Sequence, residues 1–445
     1  NKFQIKGTQL NGFCPFNNGI SAKKFQLQML INSCSSSMTN FDVWFVEEEG
    51  VTYRLSFILN LYLELTLFRP KMKDRLKGET MPLCQSEPAP VTHLPIKIQE
   101  ESIYEDSMPI LERVRPEWFR KMDGKGEGSQ EDIQMRVFSG GITNKLVGFY
   151  LNSDKDDVVI VKMYGEKTEM FIDRDEEIKT MQLLHDRKCG PILYAIFDNG
   201  IAYEYTPGAP LNVINCRADT VYPLVAKEMA RMHSIPLSPE EYEKGSSIWK
   251  LLKMFCKLSL EALDSKPEVK ARFEAVGISN QWGLLAVEEL EVLCSKEPMP
   301  LAFCHNDILL GNVILDEKRD VVAFIDFEYA ATNYVPFDIA NHFNEFAGGE
   351  DIDFSLYPDE EFQRAWIGQY LNHLKIGEGK SGYDVDTFYR WVQLCTPISL
   401  VLWMVWGIVQ TCYSDIDYDF FTFVTVRLPE YNKAMQVIRL HNQNL

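Results

Sequence analysis

The sequence predicts an α+β fold in two lobes: a small antiparallel sheet with one main helix, then a larger and mostly helical lobe. Three observations carry that expectation. Between residues 134 and 205, short β-branched and aromatic runs alternate with Gly and Asn turns, which is a strand pattern. Beyond "TPGAP" at 206–210, apolar residues recur three and four apart, the period of amphipathic helices. Inside that helical half, "FCHNDILLGNVILD" at 303–316 and "VVAFIDFEY" at 321–329 set polar residues among strand-like stretches, which no amphipathic helix does.

The chain has 445 residues, 46% of them hydrophobic, enough for two or three domains with real cores. A formal net charge of −19 with no segregated Lys/Arg block argues against nucleic acid as a partner, because a phosphate backbone would be repelled. The ten cysteines are scattered without a C-x-x-C pair and read as buried thiols in a reducing, cytoplasmic setting. The chain begins on Asn1, with Met72 and Met81 as candidate starts. "LSFILNLYLELTLF" at 55–68 is too short to span a membrane and is interrupted by Glu64. It reads as part of an extension, with a peripheral amphipathic helix as the weaker alternative, and no integral membrane segment is expected. "CQSEPAPVTHLP" at 84–95 is Pro-rich and linker-like. The expected organisation is an extension or linker over 1–100, a first lobe over 101–206 and a second over 207–445.

The elements follow in order. "MRVF" and "KLVGFYL" flank "SGGITN" at 139–144, a hairpin with Gly140 and Gly141 at its tip and Thr143 and Asn144 at its exit. "DVVIVKMYG" is a strand carrying Lys162. "DRDEEIKTMQLLHDRK" is a helix with Asp173 as N-cap and Glu177 one turn in. "GPILYAIF" and "GIAYEY" add two strands, giving five. "YPLVAKEMARMHSI" and the stretches around 248–263 and 281–295 are helical.

A nucleoside triphosphate site must hold a polyanion, Mg²⁺ and a nucleophile in line, using backbone N–H groups, a lysine and carboxylates. The Gly140-Gly141 turn lets backbone approach phosphates, Lys162 can pair with them, and Glu177 can hold the lysine. Asp307, after the strand "LAFC", can accept a substrate hydroxyl. Asn312, five residues later, offers a neutral oxygen to Mg²⁺, and Asp326 an anionic one. His305 reads as a brace for the loop. A Gly-Gly turn is usually only a hairpin and a strand-end lysine is usually solvated, so each is weak alone. The spacing His-x-Asp-x-x-x-x-Asn followed by Ile-Asp-Phe is the specific signal.

With these residues in view, "FCHNDILLGNVILD", "FIDFEYAATNYVPFDIANHFNEFAG" and "WMVWGIVQTCYSDIDYDFF" resemble the signature segments of the choline/ethanolamine kinases, a branch of the protein-kinase-like fold. The resemblance extends over about 130–430, and "NHFNEFAG" and "DFSLYPDEEFQRAW" are closer to the ethanolamine than the choline branch. It implies a bilobal kinase-like enzyme that uses ATP and Mg²⁺ to phosphorylate ethanolamine, the first step of the CDP-ethanolamine route to phosphatidylethanolamine. It also implies Asp307 as catalytic base, Asn312 and Asp326 as Mg²⁺ ligands, Lys162 with Glu177 at the phosphates, and the strand end at Glu204 and Tyr205 beside adenine. Asp338 is expected to clamp the catalytic loop.

An ammonium substrate needs acceptors and aromatic faces. Tyr329, Glu345, Trp403, Trp406 and Tyr418 are the expected amine-binding set. Two departures touch pocket shape rather than phosphotransfer: Met404 and Val405 stand where the family often has Gly-Leu, and Ala340 where it often has Gly. The expected partners are ATP and a small amino alcohol, with a homodimer left open. Choline kinase or dual-specificity kinase is the alternative, followed by a silent kinase-like binding module. A metal-dependent hydrolase using His305, Asp307 and His342 is the remaining reading.

Overall fold

The structure is a computed structural model and describes residues 26–28, 41–46, 52–57, 91–119, 132–138, 144–152, 157–165, 172–349, 351–376, 379–380, 382–414 and 416–443. The chain divides into two compact units, Asn1–Ser86 and Glu87–Leu445. In the first, β1 (Gln26–Gln28), β2 (Phe41–Val46) and β3 (Thr52–Phe57) form an antiparallel sheet. Residues 55–57 of the apolar stretch at 55–68 thus belong to a strand; its remainder lies outside the described residues.

The second unit opens with β4 (Thr92–Leu94) and α1 (Ile103–Val114). It continues through β5 (Ile133–Phe138), β6 (Asn144–Leu151), β7 (Val158–Tyr164), α2 (Arg174–Asp186), β8 (Leu193–Phe197) and β9 (Gly200–Glu204). The sheet has six strands in the order β4-β8-β9-β7-β6-β5 rather than the five expected, because Thr92–Leu94 adds in parallel to β8. That strand comes from the stretch read as linker, where Pro-rich composition masks a three-residue edge strand.

The helix α1 also went unread. Pro109 interrupts its pattern, yet Pro109 faces solvent, so the carbonyl it leaves unpaired can meet water. Its other face buries Ile110 and Leu111 against Val147, Phe149, Val159 and Val161 of the sheet. Arg115 fastens the end of α1 to the sheet through Asp157 at 3.1 Å and the Tyr194 hydroxyl at 2.6 Å.

After Glu204 the chain leaves this sheet, and β10 (Ala209–Pro210) already pairs with a strand of the second lobe. The helices α3 (Tyr222–His233), α4 (Pro239–Lys244), α5 (Ile248–Ser265), α6 (Pro267–Ala275) and α7 (Trp282–Cys294) follow. Then come β11 (Leu301–Cys304), the hairpin β12 (Val313–Asp316) and β13 (Val321–Phe324), and β14 (Ala331–Tyr334), which pairs back to β11. α8 (Val335–Asn344), α9 (Glu360–His373), the β15 (Lys375–Ile376) and β16 (Gly379–Lys380) pair, α10 (Val385–Tyr413), α11 (Phe420–Thr425) and α12 (Arg427–Gln443) complete it.

α10 is the spine of the lobe. It is 29 residues long and buries an unbroken run from Leu394 to Gln410. Among the described residues it is the one helix long and apolar enough to cross a membrane, but most of that stretch is buried inside the protein, as a core helix surrounded by others would be.

Candidate active site

β7 sets the first charged residue. Val159, Val161 and Met163 enter the core under α1, so the alternation of a strand turns Lys162 to the opposite face. There the residue is 4% exposed, with its ammonium 2.9 Å from Glu177 Oε1, 3.2 Å from Asp326 Oδ1, and in contact with Glu328. Burial alone would lower its pKa, but the carboxylates of Asp326, Glu328 and Glu177 outweigh it and hold the lysine well above its ordinary value. Asp173 caps α2 by accepting from the Glu176 N–H, which fixes the turn that delivers Glu177. Arg174 bridges Glu177 at 2.7 Å and Glu328 at 3.0 Å.

The loop after β11 is built on backbone. His305 Nε2 donates to Ile325 O at 2.9 Å, tying the loop to the strand end before Asp326. The Asn306 side chain donates to Tyr329 O at 2.9 Å and accepts from Asn333 at 2.7 Å. Asn312 donates to Asp307 O at 2.9 Å and lies 3.3 Å from Asp307 Oδ2, while its own carbonyl accepts the Ile325 N–H at 3.0 Å. The β12–β13 hairpin therefore brings Asp307, Asn312 and Asp326 together as the spacing predicted. Asp326 holds φ +65°, a left-handed conformation that aspartate tolerates better than most residues. Burial raises the Asp307 carboxyl well above the usual range, and the neighbouring charges of Asp326, Glu345, Glu328 and Asp338 raise it further.

Tyr329, near enough to feel the charge of Asp307, begins an aromatic wall. Tyr329 and Trp403 meet edge to face at 5.7 Å, Trp403 and Trp406 at 5.8 Å, and Trp406 meets Phe420 at 5.7 Å and Phe423 at 5.8 Å. Trp403 Nε1 donates to Asn341 Oδ1 at 2.7 Å, which locks the ring. Tyr418 packs on Phe420 at 4.9 Å and donates its hydroxyl to Gly349 O. Glu345 caps α8 next to Arg427.

A third part of the cleft lies on the Lys162 face of the sheet. Val158 shares that face four residues before Lys162, about 13 Å along the strand. There a cavity of about 200 Å³ is lined by Arg136, Phe138, Tyr150, Val158 and Tyr205. The Phe138 ring lies across Gly148, where a Cβ would come within 2.7 Å of it. A second cavity is lined by Lys162, Glu177, Tyr203, Asp326 and Phe327 among others.

A model of the family described as choline/ethanolamine kinase matches residues 135–432, an interval that includes all of these side chains. The chain belongs to that family. This kinase is 35% identical over 361 residues to human ethanolamine kinase 2, covering 79% of this chain and 87% of that one. It is 34% identical to human ethanolamine kinase 1, with 78% and 75% covered. An ethanolamine kinase of Plasmodium vivax superposes with a TM-score of 0.63 at 25% identity, over 75% of this chain and 89% of the other.

Of the expected nucleotide-side residues of the kinase, Gly140, Gly141 and Thr143 lie outside the described residues. The Asn144 side chain is held by Glu328 at 2.7 Å and Arg174 at 3.1 Å rather than pointing freely at a phosphate. Glu204 accepts the Ile192 N–H with its carboxylate, so of that pair it is Tyr205, 5.9 Å from Phe138, that lines the cavity. Sequence reasoning missed Glu328, Arg174, Asn341, Phe420, Phe423 and Arg427. Of these, only Glu328 carried a signal, two residues beyond the metal-type aspartate.

The hydrolase reading gives way to the kinase family. His305 and His342 each donate one ring nitrogen to a backbone carbonyl, of Ile325 and of Ile308, and among the described residues they do not gather with Asp307 at metal-ligand spacing. The one cluster with metal-ligand spacing among the described residues, His233, Cys304 and Asp338, is buried and occupied by hydrogen bonds to the loop and to Tyr370.

Proposed function

We propose that this kinase transfers the γ-phosphoryl group of ATP to the hydroxyl of ethanolamine, giving phosphoethanolamine for phospholipid synthesis. One observation carries the reading: the buried Asp307 feels the charges of Asp326 and Glu328, which gather on Lys162, and of Glu345, which Arg427 accompanies. A base near both groups can serve a phosphate at the Lys162 cluster and an ammonium at Glu345.

In this reading the cavity beside Phe138 and Tyr205 takes the adenine, and Lys162, steadied by Glu177, pairs with phosphate oxygens. Asn312, Asp326 and Glu328 supply the hard oxygen donors that suit Mg²⁺, and the local balance of three carboxylates against Lys162 and Arg174 leaves room for a cation. When bound there, Mg²⁺ would supply positive charge to offset the negative charge on the transferring phosphoryl group. Asp307 accepts the substrate hydroxyl and takes its proton as the oxygen attacks; burial among carboxylates makes it a stronger base than a solvated aspartate. Glu345 accepts the ammonium N–H groups, and Tyr329, Trp403, Trp406 and Tyr418 offer ring faces to its charge.

Choline is the second reading, since the aromatic wall suits a trimethylated head. Glu345 favours ethanolamine, because its ammonium can donate to a carboxylate and the quaternary head of choline cannot. The test is ADP release with Mg-ATP and a panel of ethanolamine, its methylated forms, choline and an aminoglycoside. Ethanolamine should give the highest kcat/KM. A faster choline rate at equal low concentration would reverse the preference, and no release with either amine would overturn the reading.

A further inference from the structure

Arg427, the first residue of α12, is 2% exposed, and a buried guanidinium needs partners for its charge and its donors. Its Nη1 donates to Phe423 O at 2.8 Å, and its guanidinium carbon lies 3.6 Å over the Phe423 ring. Its Nη2 is 3.7 Å from Glu345 Oε1, an ion-pair distance but too long for a hydrogen bond. Glu345 therefore feels the charge of Arg427 while its lone pairs stay open to another donor. Phe423 in turn packs on Trp406 at 5.8 Å and Tyr418 at 6.1 Å. One side chain thus touches both kinds of group that an ammonium would use.

We infer that Arg427 is a positioning residue for the substrate's ammonium, holding Glu345 and the Phe423–Trp406 wall in register; the inference rests on the amine site proposed above. Arg427 does not itself meet the substrate in this arrangement. It acts through Glu345 and Phe423.

The charges around Glu345 decide the sign of the effect. Arg427 faces it from α12, the charge of Asp307 reaches it from the loop after β11, and Tyr418 adjoins the guanidinium from the segment before α11. Burial pushes the Glu345 carboxyl up, and Arg427 opposes that push. With Arg427 replaced by an apolar side chain, Glu345 has no cation until substrate arrives. The carboxylate then loses both the charge beside it and the side chain that holds it in register with Phe423, so affinity for the amine falls.

The experiment is steady-state kinetics of the full chain with ethanolamine, choline and ATP for wild type, Arg427→Met, Arg427→Lys, Glu345→Gln and the Glu345→Gln/Arg427→Met double variant. Arg427→Met should raise the KM for ethanolamine about tenfold, with a smaller rise for choline and little change in kcat or in the KM for ATP. Arg427→Lys, which restores the charge without the fork, should recover most of the loss. In the Glu345→Gln background Arg427→Met should add little, because the two act as one unit. Unchanged amine KM, a matching rise in the KM for ATP, or additive effects in the double variant would overturn the inference. If Arg427→Met does not fold, Arg427→Lys decides: a modest rise confined to the amine supports the role, and none refutes it. Wild-type turnover tests the functional reading separately, and the variants are compared with whichever amine the wild type phosphorylates.

Discussion

Asp338 grips Asn306: its Oδ1 accepts the Asn306 backbone N–H at 2.7 Å, where Asn306 holds φ +67° just before Asp307, the proposed base. The other oxygen accepts from the His305 N–H at 2.7 Å and faces His233 Nε2 at 3.0 Å, with the Tyr370 hydroxyl on the far nitrogen of that ring at 2.7 Å. A left-handed turn costs a non-glycine residue free energy, and this buried carboxylate offsets the cost.

Asp338→Asn sets an amide donor against one of these N–H groups. Loss of a buried charge-assisted acceptor should cost about 2–4 kcal/mol of stability, and loosening of the loop should lower kcat about a hundredfold. The KM for ATP should stay near that of the parent, since the Lys162 cluster is untouched. Denaturant unfolding and steady-state rates check both, and parental kcat in the folded variant would contradict the clamp.

Arg174 joins Glu177 of the small lobe to Glu328 of the large one. Arg174→Met leaves two buried carboxylates with Lys162 as their nearest cation, so Lys162 is drawn away from the position proposed for pairing with phosphate. The expected result is a rise of about tenfold in the KM for ATP with little change in the KM for the amine. A change confined to the amine would argue against the assignment of this cluster to the nucleotide.

His342 is fully buried, and burial pushes its pKa down to about 4. Its folded value thus lies below the unfolded value of about 6.5, so the native state binds fewer protons than the unfolded chain. Its contribution is complete above about pH 6.5 and is lost as pH falls toward 4, on the order of 3 kcal/mol in all. His342→Asn keeps a donor near Ile308 O and should flatten the loss of melting temperature between pH 6.5 and 4. An unchanged slope would show that other groups control acid unfolding.

The two lobes, Lys162 with Glu177, and the loop carrying Asp307, Asn312 and Asp326 were legible because strand alternation and short spacings fix them locally. Long-range partners left no such mark. Arg427 reaches Glu345 across 82 residues and Arg174 reaches Glu328 across 154, distances over which no periodicity operates. The edge strand Thr92–Leu94 and the helix around Pro109 were hidden by prolines that tertiary packing tolerates at solvent-facing positions.

The central claim is that Asp307 activates the hydroxyl of ethanolamine for attack on ATP. Following product by phosphorus NMR, with ATP binding measured in parallel, tests it in wild type and Asp307→Asn. The account predicts phosphoethanolamine from the wild type, and a loss of about a thousandfold or more in Asp307→Asn with ATP affinity kept. Phosphoethanolamine formed by the folded variant at the parental rate, or none formed by the wild type, would contradict it.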